Sequence, residues 1–263
     1  MKLKIGLIAY TNLFPIFYTL RKEFDCSDYE FVEGVPSALN KKIRSGEIDV
    51  SPSSSIEYLR NPAYYTLIPD HSVSSKGPVG SILLFSKRPI EALGGLSVAV
   101  SSQSETSVAL LKIILKKFYD LECRLLPSSE PVGKAMRSHE AYLLIGDDAL
   151  AEALKWPKLQ IYDLGDIWYR NTGLPFTFAL WIAKKGCCAE KDGLFARFRA
   201  DLDRAKRSAL KNLRAIASES PMRDALSEED LVSYWQGISY DLGGEHEKGL
   251  DLFRRYAGDL GLL

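Results

Sequence analysis

The chain has 263 residues, and its 34 Lys and Arg residues balance 34 Asp and Glu residues. That balance leaves no global field to recruit nucleic acid or an anionic membrane, and no apolar run reaches the roughly 18 residues a membrane helix needs. The hydrophobic fraction of 46% is that of an ordinary globular core, and the length suits two lobes of about 100 to 150 residues each.

MKLKIGLIAY opens as a strand over 4–10, unlike the charged n-region, apolar h-region and cleavage site of a secretory signal. A helix is expected at 14–24, a strand at 29–34, and a helix at 35–46 that places Val35, Leu39 and Ile43 on one face. IDVS (48–51) is a strand leading into a helix at 54–60, and GSILLFSKRP (80–89) is a further apolar strand. A second series follows: a strand at 96–102, a helix at 104–119, a strand at 122–127, a short helix near 131–138, a strand at 141–146 and a helix at 147–155. FTFALWIAKKG (176–186) is another long strand, and from Cys188 onward helices are expected near 189–217, 228–236 and 245–260.

This alternation predicts an α/β fold with mostly parallel sheets covered by helices. Two series followed by a helical tail imply two lobes with a cleft between them. The strands at 80–89 and 176–186 look alike and make natural crossovers. Lobe 1 is then discontinuous, residues 1–88 and 180–263 including the tail, and lobe 2 is 89–179. A single continuous α/β domain is the alternative.

Four cysteines (Cys26, Cys123, and the adjacent Cys187 and Cys188) lack metal-ligand or disulfide-framework spacing, which implies reduced thiols in the cytoplasm. His71, His139 and His246 are scattered and read as surface residues, so no metal site is expected.

In an open α/β sheet, ligands bind beyond the carboxyl ends of the strands. Polar or glycine-rich sequence gathers at five such ends: TN (11–12), SPSSS (51–55), GPVGS (77–81), SSQSETS (101–107) and GDD (146–148), with RNTGLPF (170–176) before the return strand. Capping explains some of it: Asn12 could cap the helix at 14–24, and Ser53 or Ser54 the helix ending at Arg60. One hydroxyl caps a helix, however, and these starts carry three to five. Surplus donors beside unpaired backbone N–H groups favour an anion, most simply a carboxylate, with a phosphate as the alternative. Neither a Walker loop nor G-x-G-x-x-G after a strand is present, nor a G-x-S-x-G elbow. Asp147 and Asp148 leave two readings open: one faces the cleft, or both are first-turn helix acids.

YTNLFP, GEIDVSPSSSIEY (46–58), GPVGSILLFSKRP, SSQSETS, LLIGDDAL and DLGDIWYRNTGLPFTFALW resemble the chorismate dehydratase family of the futalosine route to menaquinone. The resemblance runs from about residue 3 to 182 and weakens through the tail. It implies the two-lobed periplasmic-binding-protein type II fold with an interlobe cleft, here with C-terminal helices. It also implies loss of water from chorismate, a small dicarboxylate, to give the carboxyvinyl ether of 3-hydroxybenzoate, without metal or organic cofactor. By that resemblance Asn12 and Ser81 are the catalytic candidates, and Thr106 with Ser107 binds a carboxylate. Ser53 and Ser54 hold the substrate from the other lobe, and Gly146 and Asp147 line the site. A sister family acting on a cyclic dehypoxanthine futalosine shares most motifs but uses a histidine where this chain has Gly146. A non-catalytic small-anion sensor is the rival from outside enzymology. Two bases are open for the ring proton, Asp147 or the substrate's own enolpyruvyl carboxylate, and the donor-rich motifs favour the second.

Overall fold

The computed structural model describes residues 2–153, 155–187 and 191–263. Cys188 and the first residues of the helix expected near 189 lie outside the described residues. Contacts group the chain into two compact units, Met1–Val73 with Ala179–Leu242, and Ser74–Phe178 with Gly243–Leu263.

In the first unit, β1 (Leu3–Leu7), α1 (Phe14–Glu23), β2 (Tyr29–Glu33), α2 (Pro36–Ser45), β3 (Val50–Ser54) and α3 (Ser55–Arg60) follow in turn, then β4 (Tyr65–Ser75). β1 runs parallel to β2 and β3, as short strand–helix–strand units dictate. The expected sheet is nevertheless mixed, because β10 (Phe176–Lys184) enters antiparallel to β3, with Leu180 opposite Ser53. The strand order is β2-β1-β3-β10-β4. Apolar faces of the helices cover it: Phe17 and Leu20 of α1, Leu39 and Ile43 of α2, and Phe198 of α8 (Asp192–Lys211) are all buried. α8 breaks at Asn212 into α9 (Leu213–Ala217), where the sequence predicts one helix to 217. A satellite core joins α9 to α10 (Glu228–Gly237) through Leu213, Ile216, Leu231 and Trp235, with Phe14 and Tyr18 against it.

The second unit repeats the plan. β5 (Ile82–Ser86), β6 (Ser97–Ser101), α4 (Glu105–Ile113), β7 (Arg124–Ser128), α5 (Val132–Ser138), β8 (Ala141–Ile145), α6 (Gly146–Glu152), β9 (Gln160–Asp163) and α7 (Leu164–Thr172) form a sheet ordered β7-β6-β8-β5-β9. β6 is parallel to β7 and β8, whereas β5 is antiparallel to β8 and β9. The expected helix at 104–119 changes pitch at Ile114–Phe118, which is π-helical.

The unit boundaries differ from the expected lobes. The chain leaves the first unit inside β4, ahead of residue 80, returns inside β10, and leaves again after Leu242. The last helix, α11 (Gly244–Asp259), therefore belongs to the second unit and not to the first. Packing explains this. Phe253 meets Phe176 at 4.9 Å between ring centroids and Trp168 at 6.4 Å, and Asp259 pairs with Lys117 at 2.7 Å. Gly249 lies so close to the Pro175 carbonyl that a Cβ there would stand 2.1 Å from the oxygen.

Candidate active site

Three candidate residues belong to the first unit. Asn12 lies in the turn between β1 and α1, and the α1 N-cap is Leu13, with no side-chain cap bond. Asn12 is therefore not the cap that its position allowed. Its backbone is fixed instead: Tyr240 Oη donates to the Asn12 carbonyl at 2.7 Å, and Trp235 Nε1 donates to the Thr11 carbonyl at 2.8 Å. Complete burial pushes the Tyr240 phenol well above its ordinary range, so it stays a donor. The side-chain Oδ1 of Asn12 is buried and has no partner.

Ser53 and Ser54 end β3, a strand of sequence VSPSS that is buried throughout. Ser54 is the N-cap position of α3, yet its side chain makes no cap bond; its backbone N–H donates to Asn40 Oδ1 at 3.2 Å. Ser53 Oγ is buried without a partner, as is Asn40 Nδ2. A buried polar atom left unpaired costs about 1–3 kcal/mol, and each one calls for a reason. β1 and β3 are neighbouring parallel strands, so Asn12, beyond the end of β1, and Ser53, near the end of β3, both lie toward the carboxyl ends of their strands. Not every buried polar group here is unpaired: Glu57, fully buried on α3, receives Arg44 Nε at 3.0 Å, Tyr65 Oη at 2.6 Å and Asn61 Nδ2 at 3.1 Å.

The other five belong to the second unit. Ser104 is the N-cap of α4, accepting from Ser107 N at 3.2 Å, and its hydroxyl also meets Ser107 Oγ at 3.0 Å. One serine of SSQSETS thus does the capping, and Thr106 and Ser107 are buried in the first turn behind it. Gly146 opens α6 directly from β8 with φ of 64°, in the left-handed region where a Cβ is strained. Its N–H donates to the Ser81 carbonyl at 2.7 Å, which extends the β5–β8 ladder by one residue. Ser81 is 2% exposed. Asp147 is half-buried and Asp148 exposed, both in the first turn of α6. At the carboxyl ends of β6, β7 and β8 a cavity of about 280 Å³ takes Ser101, Gln103, Ser128, Tyr142, Asp148 and Glu152 into its lining. None of the eight candidate residues lines it.

The sequence reading missed Asp163, the last residue of β9. Its Oδ1 accepts from Gly165 N at 2.8 Å and Asp166 N at 3.1 Å, capping α7, while its Oδ2 accepts from Val79 N at 3.0 Å and Gly80 N at 2.6 Å. Burial pushes this carboxyl above its ordinary value, and the four backbone donors oppose that push. His71 is not the expected surface residue: it is 2% exposed, its Nε2 lies 2.8 Å from Asp203 Oδ1, and its Nδ1 is buried without a partner. β4 carries it inward among buried neighbours from His71 to Ser75. Among the described residues no group of three or more His, Cys, Asp and Glu side chains could hold a metal ion. No helix among them is long and apolar enough to cross a membrane.

Residues 3–259 match the family model for menaquinone biosynthesis. A chorismate dehydratase of Thermus thermophilus is 31% identical over 97% of this chain and 94% of its own length. Among solved structures, a protein of Archaeoglobus fulgidus covers 100% of this chain and 98% of its own with a TM-score of 0.81 at 19% identity. The periplasmic aliphatic sulphonate binding protein of Escherichia coli covers 99% of this chain and 93% of its own with a TM-score of 0.68 at 15% identity. These structures share the periplasmic-binding-protein-like fold with this chain.

Proposed function

The chain belongs to the menaquinone biosynthesis family, and from that premise we propose that it is a carbon–oxygen lyase that converts chorismate to the carboxyvinyl ether of 3-hydroxybenzoate and water. The observation that carries this reading is the pair of unpartnered buried polar atoms, Asn12 Oδ1 and Ser53 Oγ, toward the carboxyl ends of parallel strands of the first unit. A substrate with a hydroxyl and two carboxylates supplies what they lack.

The reaction removes the ring proton at C3 and the hydroxyl at C4, and the gain of aromaticity drives it. The protein's task is therefore to hold geometry and direct one proton. Thr106 and Ser107 take one carboxylate beside the first-turn N–H groups of α4, where the helix dipole favours negative charge. Ser53 and Ser54 help hold the substrate. Asn12, an amide with both acceptor and donor capacity, and Ser81 orient the reacting carboxylate or the departing hydroxyl. The enolpyruvyl carboxylate takes the proton, and Asp147 lines the site. Positioning of this kind supplies several kcal/mol, up to roughly 7–11 in well-oriented systems. Gly146 supports this reaction over that of the sister family, because the histidine implied there for the sister is absent from this position.

The test is to incubate the protein with chorismate and follow loss of the diene absorbance, with the product identified by NMR. Dehydration is the expected outcome. Binding without turnover would instead favour the small-anion sensor.

A further inference from the structure

The geometry points to Asp163 as a positioning residue that fixes Ser81 through the two peptides before it, a role that rests on the assignment of Ser81 to the reaction above. Its two carboxylate oxygens do separate jobs. Oδ1 caps α7 through Gly165 and Asp166, and Oδ2 binds the Val79 and Gly80 N–H groups. Asp163 sits opposite Leu83 in the β5–β9 pairing, so the loop before β5 folds back over the end of β9 to reach it.

That loop needs holding. Gly77 has φ of 101° and Gly80 has φ of 75°, both in the left-handed region. Ser75 Oγ donates to the Gly77 carbonyl at 2.8 Å. At Gly165 an added Cβ would stand 2.7 Å from both the Gly77 carbonyl and Ser75 Oγ, so the first turn of α7 lies directly on the loop. Ser81 is then gripped on both sides, by Asp163 at the Gly80 N–H and by the Gly146 N–H at its own carbonyl. The Ser81 backbone held this way has little freedom, which fixes the point from which its hydroxyl is presented, and lost freedom is what positioning requires.

Two substitutions separate the clamp from the cap. Asn and Ser cap helices about as well as Asp, so Asp163→Asn and Asp163→Ser keep α7 capped. Neither offers a second oxygen to Val79 and Gly80. By hydrogen exchange, the Val79 and Gly80 amides should lose protection at least about tenfold in both variants while Gly165 and Asp166 keep theirs. In turnover, kcat should fall roughly 10- to 100-fold with KM within about threefold, the signature of a displaced reacting group rather than lost binding. In a Ser81→Ala background, adding Asp163→Asn should change kcat less than about twofold, because the two residues act through one hydroxyl. Unchanged protection at Val79 and Gly80 would overturn the clamp, and an additive loss in the double variant would reduce Asp163 to a structural residue. If the wild-type protein leaves chorismate untouched, the proposed reaction falls, whereas the exchange experiment still decides the clamp.

Discussion

In the first unit the sheet runs β2-β1-β3-β10-β4 and in the second β7-β6-β8-β5-β9, so each joins the second, first and third strands of a βαβαβ run and then a crossover strand antiparallel to the third. The same plan is satisfied differently at the helix starts. In the second unit Ser104 caps α4 and Asp163 caps α7. In the first, neither Leu13 before α1 nor Ser54 before α3 offers a side-chain cap, and Asn12 Oδ1 and Ser53 Oγ stay unpaired. The two units also serve a desolvated acid by different means: Arg44, Tyr65 and Asn61 reach the fully buried Glu57, whereas four backbone N–H groups reach the half-buried Asp163. The contrast lies in these helix starts: those of α4 and α7 spend a polar side chain on the cap, while those of α1 and α3 leave Asn12 Oδ1 and Ser53 Oγ unmatched, the α1 start on a backbone pinned by Trp235 and Tyr240.

The largest effect expected is on binding. Replacing Thr106 and Ser107 together with Ala removes two hydroxyls from a charged group, each worth about 1.5–3 kcal/mol. KM for chorismate should rise by roughly two orders of magnitude or more with the fold retained; an unchanged KM would make these hydroxyls mere packing. Next is Arg44→Ala. It leaves Glu57 buried with only neutral side-chain donors, and loss of one partner of such a pair costs about 3 kcal/mol, to be read from the urea midpoint.

Smaller, and more pointed, is a contrast of signs. Ser53→Ala deletes an unpaired hydroxyl and should stabilise the ligand-free protein by about 1 kcal/mol, whereas Ser104→Ala deletes a cap and should cost about 1 kcal/mol. Calorimetric Tm values that shift in the same direction would erase the distinction drawn between the units. The smallest effect concerns His71. Burial first, then the charge of Lys206, holds its ring below the ordinary 6.5, against Asp203 and Asp70. The unfolded chain thus takes up the proton more readily. The stability contributed by neutral His71 is present above about pH 6.5 and is lost as pH falls through the folded-state value. His71→Gln should flatten that acid loss in a series of urea midpoints; an identical slope would assign it to other groups.

Most of the fold was legible because both βαβ series show their periods: Val35, Leu39 and Ile43 mark one helix face, and KIGLIAY and AYLLIG are plain strands. The likeness of GSILLFSKRP to FTFALWIAKKG also forecast strands that occupy matching places in the two sheets. β4 was not legible, since Pro69 and Asp70, the latter at φ of 60°, interrupt its 11 residues. Nor was the placement of α11, which depends on contacts of Gly249 and Phe253 with residues over 70 positions away. At the candidate site, the surplus of hydroxyls could be seen, but which one caps could not, because Ser101, Ser102 and Ser104 are equivalent as letters. Asp163 could have been suspected: Asp followed by Leu-Gly-Asp before an apolar period is an N-cap signal. Its second job depends on a loop 84 residues earlier in the chain.

The most direct measurement joins turnover and binding at Asn12. Wild-type protein and Asn12→Ala are each titrated with a non-reacting chorismate analogue by calorimetry and assayed for loss of the chorismate diene. A turnover loss of about 10²-fold is expected, with analogue affinity within a few-fold of wild type and no loss of thermal stability, since the side-chain acceptor that is removed had no partner. Full turnover in Asn12→Ala, with the analogue still bound, would contradict the role given to the amide with the unpaired oxygen and to the β1–α1 turn that carries it.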